Sequence, residues 1–392
     1  MSKKIAFIIP ALTGGGAERV VANLTKGLPS NYEKFIIIYH TTDKSYEHNG
    51  RIINLNIGSS DNKFGKIINT IRRIVALKKI KKKYKIDRSI SFLENPNLIN
   101  IFSKGNEDVF VSIRNHQSSE FTGITKIINK VIVKFCYSKA DKIVAISNGV
   151  KNDLIENFGV KSKEIETIYN PVDIERINNL KTKPLEEKYR KIYKNPTIIT
   201  VGRLTYQKGQ WHLIRAFKKV VEKVPNVQLV IVGTGMLEEQ LKQLIADLNL
   251  TNNIHFTGFQ DNPFKFIHLA DMFILPSLFE GLGNVLLEAM ACETPIISTD
   301  CQSGPREILA PSTNLNTELN NYSIEEYGVL IPVLNGNNID SNQSLTPEEE
   351  LLGKAILLLL NNKELAERLK INGIKRVNEF SFEKISKQWV DL

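Results

Sequence analysis

Phe279-Glu280-Gly281-Leu282-Gly283-Asn284-Val285-Leu286-Leu287-Glu288-Ala289-Met290-Ala291 decides how this chain is read. A short apolar run, residues 272–275, and Pro276 precede it. An apolar run, a glycine pair and then helix-forming residues read as strand, tight turn and helix start. The free N–H groups from Asn284 to Leu287 suit a phosphate. Glu280 stands before the helix, and Glu288 lies about one turn inside it. Two carboxylates beside an anion site repel the anion unless they bind something else. Sugar hydroxyls fit that role, because one carboxylate accepts two vicinal O–H bonds. The plainer reading is that Glu288 only complements the positive helix start.

Outward from this block, strands and helices alternate. Before it come strand-like residues 197–201, helix 211–224, strand 228–232, a Gly-Thr-Gly turn at Gly233, helix 237–248 and strand 254–257. Residues 271–275 and 295–298 are two further strands. The first half has its own series. Its strands are 5–10, 35–39, 52–57, 89–92, 109–113 and 142–146, with helices at 17–27 and 67–84. Continuous apolar strands between helices signal a parallel sheet covered on both faces. Two such series predict two doubly wound domains, 1–180 and 181–380. The polar, Lys-rich stretch up to Asn195-Pro196 is the expected linker, and a terminal helix at 381–392 is expected to cross back to the first domain. Residues 310–326 and 334–346, rich in Asn, Thr and Ser, read as loops.

Bulk properties narrow the class. At 392 residues the chain exceeds one small domain, given roughly 100–200 residues per domain. A hydrophobic content of 42% and a charged content of 24% describe a globular protein with a full core. Cys136, Cys292 and Cys301 form no CxxC pair, which argues against a disulfide framework and a zinc site and for a reducing compartment. The opening apolar run stops at Pro10, so it reads as a buried strand rather than a signal peptide. No apolar stretch reaches the roughly 18 residues that span a bilayer. A cytosolic or membrane-surface protein is expected. The net charge of +10 favours anionic partners.

Two more turns carry chemistry. Thr13-Gly14-Gly15-Gly16-Ala17-Glu18-Arg19 lies between the first strand and the first helix. Its glycines let a ligand approach the backbone, although a plain tight turn reads equally well. Val201-Gly202-Arg203-Leu204 and Lys208-Gly209 follow a strand. Arg203 and Lys208 therefore stand at the carboxyl edge of the sheet, where open α/β sheets bind ligands, and two cations suit a diphosphate.

Taken together, these motifs resemble family 4 retaining glycosyltransferases of the GT-B fold. Glu280, seven residues and Glu288 match the family signature. The Gly14–Glu18 segment resembles its glycine loop, Arg203 and Lys208 its cation pair, and Ser303-Gly304-Pro305-Arg306-Glu307-Ile308 its later glycine turn. The resemblance runs in family order from residue 5 to about 309. It implies two Rossmann-like domains facing a cleft, with a nucleotide sugar bound by the second. Glu288 would hold the ribose and Glu280 the transferred sugar. Arg203 and Lys208, with the amides of Asn284, Val285 and Leu286, would neutralise the diphosphate. Gly15 and Gly16 would close over the donor. A metal-independent reaction without cofactors is implied, by front-face attack, with Glu280 as a covalent nucleophile the alternative. The family's first-domain histidine falls on His116 or, in another register, on Arg114. Glu94, Asn95, Arg114 and Asn115 are the expected acceptor-side residues, and Ser147 and Asn170 lie at similar edges.

The resemblance extends to bacterial enzymes that build polyprenyl-diphosphate-linked glycans or O-antigen and capsule precursors. It implies a UDP-hexose or UDP-N-acetylhexosamine donor, such as GalNAc, GlcNAc or Gal. Residues 62–86 add a basic helix: Lys63, Lys66, Arg72, Arg73, Lys78, Lys79, Lys81, Lys82, Lys83 and Lys85, with no acidic residue. Interleaved Ile67, Ile68, Ile71, Ile74, Val75, Leu77 and Ile80 predict an apolar face packed on the sheet and a basic face left free. That face is either simply solvated or lies on an anionic membrane. The basic, apolar segment 126–142 favours the membrane. Two competing readings are a non-hydrolysing nucleotide-sugar epimerase, for which no acid/base set is present, and a nucleic-acid-binding protein, for which no recognition motif is present.

Overall fold

A computed structural model describes residues 3–12, 15–41, 45–120, 123–336 and 339–392, leaving aside the side chains of residues 120 and 123–129. The chain divides into two compact units, Met1–Pro171 with Phe380–Leu392, and Val172–Glu379.

The first unit is built on a parallel sheet of β1 (Lys3–Ile8), β2 (Tyr32–Ile38), β3 (Arg51–Asn54), β4 (Arg88–Phe92), β5 (Asp108–Ile113), β6 (Lys142–Ala145) and β7 (Ile165–Thr167), in the order β3-β2-β1-β4-β5-β6-β7. Successive side chains of a strand point to opposite faces. Ile5, Phe7 and Ile9 accordingly enter one core with Val20, Leu24 and Trp389, while Ala6 and Ile8 enter another with Leu77 and Ile99. Both faces are covered, so the strand needs no polar alternation. The order reverses between β1 and β4, the topological switch point at which such sheets bind ligands.

Helix Phe382–Asp391 covers the same face as helix Gly16–Gly27. Trp389 packs its ring 6.1 Å from that of Phe92, and its carbonyl accepts Arg88 Nη1 at 2.9 Å.

In the second unit β8 (Thr197–Val201), β9 (Gln228–Val232), β10 (Ile254–Gly258), β11 (Met272–Leu275), β12 (Ile296–Thr299), β13 (Ser323–Ile324) and β14 (Val329–Ile331) run in the order β10-β9-β8-β11-β12-β14-β13. All pairings are parallel except β13 with β14. Helix Gln210–Lys223 buries Gln210 through Phe217 without a break, because the sheet lies on one side and helix Pro347–Asn361 on another. Buried Glu349 joins the two helices: it receives Arg215 Nε at 2.9 Å and pairs with His212 Nδ1 at 2.7 Å.

Three expectations need correction. Residue 180 is not a boundary: it lies inside helix Ile174–Lys181, which packs on helices Phe264–His268 and Asn284–Ala291 of the second unit. Lys181 Nζ is bonded to the Ala291 carbonyl and the Glu293 carboxylate. The stretch 310–326 is not all loop, because Ser323–Ile324 adds an antiparallel edge strand. On helix Lys63–Tyr84 the apolar face is not packed as expected. Leu77 is buried and Ile74 and Ile80 are half-buried, but Ile67, Ile68, Ile71 and Val75 are exposed, as is Phe64 at 76%.

Two of that helix's cations turn inward instead. Arg73 lies over the Tyr39 ring and donates to the carbonyls of Ile57 and Gly58. Lys81 pairs with buried Glu107 at 2.7 Å and donates to the Asn100 carbonyl.

Candidate active site

The second unit brings the central motif residues together through sheet order. β8 and β11 are neighbours, so the loops that follow them meet at the carboxyl edge. The β8 loop carries Arg203 and Lys208; the β11 loop carries Ser277 and Glu280. Main-chain and side-chain bonds lock the loops to each other. Leu278 N donates to the Gln207 carbonyl at 2.8 Å, and Gln207 Nε2 donates to the Phe279 carbonyl at 2.9 Å. Lys208 Nζ then donates to Glu280 Oε1 at 2.5 Å, and Ser277 Oγ donates to the same oxygen at 2.7 Å. Glu280 is 7% exposed, so its charge is held by this pairing rather than by water.

Gly283 caps helix Asn284–Ala291 with a φ of 81°, and Asn284, Val285 and Leu286 form its first turn. Glu288, half-buried, follows one turn on. Arg203 is exposed on the same edge, its carbonyl receiving Gln210 Nε2 at 3.0 Å. Gly233, directly after β9, has a φ of 139°, and a Cβ there would overlap the Gly202 carbonyl oxygen. The turn after β12 seals the other side. Thr299 Oγ1 donates to the Ser277 carbonyl, and Gly304, at φ 95°, lies so close that a Cβ would overlap the Leu282 carbonyl. Cys301 is buried there, and burial, then the Glu280 charge, push its thiol well above the usual range. It is a neutral wall, not a nucleophile.

In the first unit, Arg114 and His116 both follow β5. Arg114 Nη2 donates to Asn170 Oδ1 at 2.7 Å. His116 Nδ1 lies 2.9 Å from Ser119 Oγ, 3.2 Å from Ser118 Oγ and 3.7 Å from Asp153 Oδ2. The two share an edge, and Asn115 lies half-buried between them. Glu94 is the first residue of helix Glu94–Phe102 and accepts Gln117 Nε2 at 3.4 Å; Asn95 accepts Arg73 Nη1 at 3.4 Å. Ser147 caps helix Asn148–Glu156 by accepting Val150 N. Gly15 caps helix Gly16–Gly27, whose first residue is Gly16. Thr13 and Gly14 lie outside the described residues.

Ser277, Gln207 and Thr299 are site-building residues that the sequence reading missed. Each is a short or neutral polar residue whose role depends on a partner loop far along the chain, and no local spacing marks it. Among the described residues, no group of three or more His, Cys, Asp or Glu is placed to hold a metal ion, and no helix is long and apolar enough to cross a membrane.

Comparison with known proteins agrees with the fold. Residues 182–326 match the family Glycosyl transferases group 1, and residues 14–176 match Glycosyltransferase Family 4. An uncharacterized glycosyltransferase of Methanocaldococcus jannaschii is 35% identical over 333 residues, which is 81% of this chain and 82% of that protein. The Campylobacter jejuni N-acetylgalactosamine-N,N'-diacetylbacillosaminyl-diphospho-undecaprenol 4-alpha-N-acetylgalactosaminyltransferase is 32% identical over 90% of this chain and 92% of its own length. Among solved structures, Anabaena HepE in complex with UDP and glucose superposes with a TM-score of 0.75 at 18% identity, over 99% of this chain and 98% of that one. The chain belongs to the family 4 glycosyltransferases. It has their two-domain α/β GT-B fold and is a hexosyltransferase.

Proposed function

We propose that this enzyme transfers a hexose or N-acetylhexosamine, with retention, from a UDP-sugar to a lipid-linked or surface-polysaccharide precursor glycan. The observation that carries the reading is the Lys208–Glu280 pair at the edge of β8 and β11, with Glu288 one turn into the adjoining helix. Glu288 holds the ribose hydroxyls. Glu280 meets the transferred sugar. Arg203, Lys208 and the first-turn amides of Asn284–Leu286 take the negative charge that builds on the diphosphate as the glycosidic bond breaks. These cations supply that charge stabilisation without a metal.

Glu280 Oε1 already accepts two bonds, one of them from an ammonium, and this blunts it as a nucleophile. Front-face attack is therefore the preferred route, with the leaving diphosphate accepting the acceptor's proton.

Two relatives support the substrates. HepE was solved with UDP, and the Campylobacter enzyme is named for a diphospho-undecaprenol acceptor. Neither relative favours the epimerase or nucleic-acid readings. Glu94, Asn95, Arg114, Asn115 and His116 are the proposed acceptor-side residues.

Helix Lys63–Tyr84 is the proposed contact with an anionic membrane, at the inner face of the cytoplasmic membrane. Its exposed Phe64, Ile67, Ile68, Ile71 and Val75 follow the i, i+3, i+4, i+7 spacing of one stripe. Lys78, Lys79 and Lys82 continue the stripe, and Arg72 flanks it, all four exposed.

The test is a donor screen by thermal shift with UDP, GDP, ADP and their sugar conjugates, on wild type and Glu288→Ala. A ligand that binds only the folded state raises Tm by mass action. UDP compounds that stabilise wild type but not the variant establish the donor site. If no nucleotide shifts the wild type at saturation, the reading fails.

A further inference from the structure

Arg114 is a buried cation without an anionic partner. It is 8% exposed, and among the described residues no carboxylate lies within ion-pair distance. Its contacts are neutral. Nη2 donates to Asn170 Oδ1 at 2.7 Å, Nη1 reaches Ser112 Oγ at 3.5 Å, and the guanidinium lies 5.4 Å from the Phe92 ring centroid. Asn170 is itself buried. Burying a charge without a counter-charge is unfavourable. Burial pulls the Arg114 pKa down to about 10, with the Glu18 carboxylate acting the other way from a distance.

The position matters as much as the charge. Arg114 is the first residue after β5, on the carboxyl edge of the first unit's sheet. Glu18, the carboxylate that acts on it electrostatically, sits in the first turn of helix Gly16–Gly27. A helix N-terminus and an under-paired guanidinium favour the same ligand charge.

We propose that Arg114 is an anion-binding residue of the first unit and holds a phosphoryl group of a diphosphate substrate. The transferase reading supplies two sources of that group: the nucleotide donor and a polyprenyl diphosphate acceptor. Arg114 offers either one a fork of donors that the chain itself leaves under-used.

Two variants test it by calorimetric titration of the full chain with UDP, inorganic pyrophosphate and farnesyl diphosphate. Arg114→Gln removes the charge and keeps a donor for Asn170. Asn170→Asp leaves Arg114 in place and gives it a carboxylate of its own, so that it competes with the ligand while the fold keeps its tie. Both are expected to weaken at least one probe by about tenfold or more, the range of one charge-assisted hydrogen bond. Asn170→Asp is further expected to melt no lower than wild type. Loss confined to UDP identifies the donor as the source, and loss confined to farnesyl diphosphate identifies the acceptor; either supports the site.

Wild-type affinity for all three probes in Asn170→Asp overturns the proposal and makes Arg114 a tie between β5 and Asn170. So does a wild type that binds none of them. If Arg114→Gln does not fold, Asn170→Asp decides alone. No sugar transfer enters the readout, so a failed transferase assay leaves this result standing.

Discussion

Lys208 and Glu280 are 72 positions apart, yet their charged atoms lie 2.5 Å from each other. Adjacency of β8 and β11 brings them together, and the Gln207–Phe279 and Leu278–Gln207 bonds hold their loops in register. Glu280→Gln keeps the shape and the Ser277 contact but removes the ion pair. The transfer rate is expected to fall about 100-fold or more, the scale of one electrostatic contact to a developing charge. Initial rates and a melting curve check this together. An unchanged rate would take Glu280 out of the reacting site, and a collapsed Tm would make it a structural residue.

Gly304 carries both a left-handed backbone and a steric limit. Its φ is 95°, and an added Cβ overlaps the Leu282 carbonyl. Gly258, at φ 68°, has open space where its Cβ would stand. Gly304→Ala should therefore destabilise by about 2–4 kcal/mol, and Gly258→Ala by about 1 kcal/mol, because only the first adds a collision to the strain. Urea unfolding separates them, and equal losses would mean that the packing of Gly304 on Leu282 contributes nothing.

Lys81 gives the first unit a pH signature. Burial, opposed in part by Glu107, lowers its pKa to about 8 from an unperturbed 10.5. Between those values the unfolded chain binds more protons than the folded one. Stability from this group therefore rises as pH climbs from 8 to 10.5, and the full penalty is present below pH 8. The rise is about 3 kcal/mol on the scale of 1.36 kcal/mol per pKa unit. Between pH 7.5 and 10, urea unfolding should show wild type gaining about 2 kcal/mol more than Lys81→Met/Glu107→Gln, since the window stops short of 10.5. Parallel profiles would refute it.

The exposed stripe on helix Lys63–Tyr84 predicts a membrane contact with two components. Phe64→Ser/Ile71→Ser should leave Tm unchanged, since both side chains are exposed. It should lower co-sedimentation with anionic vesicles several-fold, and a residual part should survive high salt only in the wild type, because apolar burial is not screened. If salt alone abolishes wild-type binding, the stripe does not enter the lipid.

The fold was largely legible because its strands are covered on both faces. Residues 5–9, 109–111 and 229–232 are continuous apolar runs with only one good use, and the Glu280–Glu288 block marks a strand, turn and helix without help from the rest of the chain. Arg73 and Lys81 were misread for a physical reason. Helical spacing shows which residues share a face, but not that a long cation can reach inward past its neighbours to a carbonyl or to Glu107. The domain boundary was misplaced because helix Ile174–Lys181 is polar enough to pass for linker, and its attachment through Lys181 to Ala291 and Glu293 is a long-range fact. Ser277 and Thr299 were invisible for the same reason. A hydroxyl at the end of a strand carries no signal until its partner loop is in place.

Trp389 and Ile385 complete the core that Phe7, Val20 and Phe92 begin. On the ribosome those first residues emerge early, and the last two emerge only after all of Val172–Glu379 has been made. The first unit therefore spends most of its synthesis with one sheet face partly uncovered, whereas the second can close as soon as it is out. Nascent chains of this enzyme should thus be most vulnerable to proteases and to self-association in the first unit, until Phe382–Asp391 has emerged and docked.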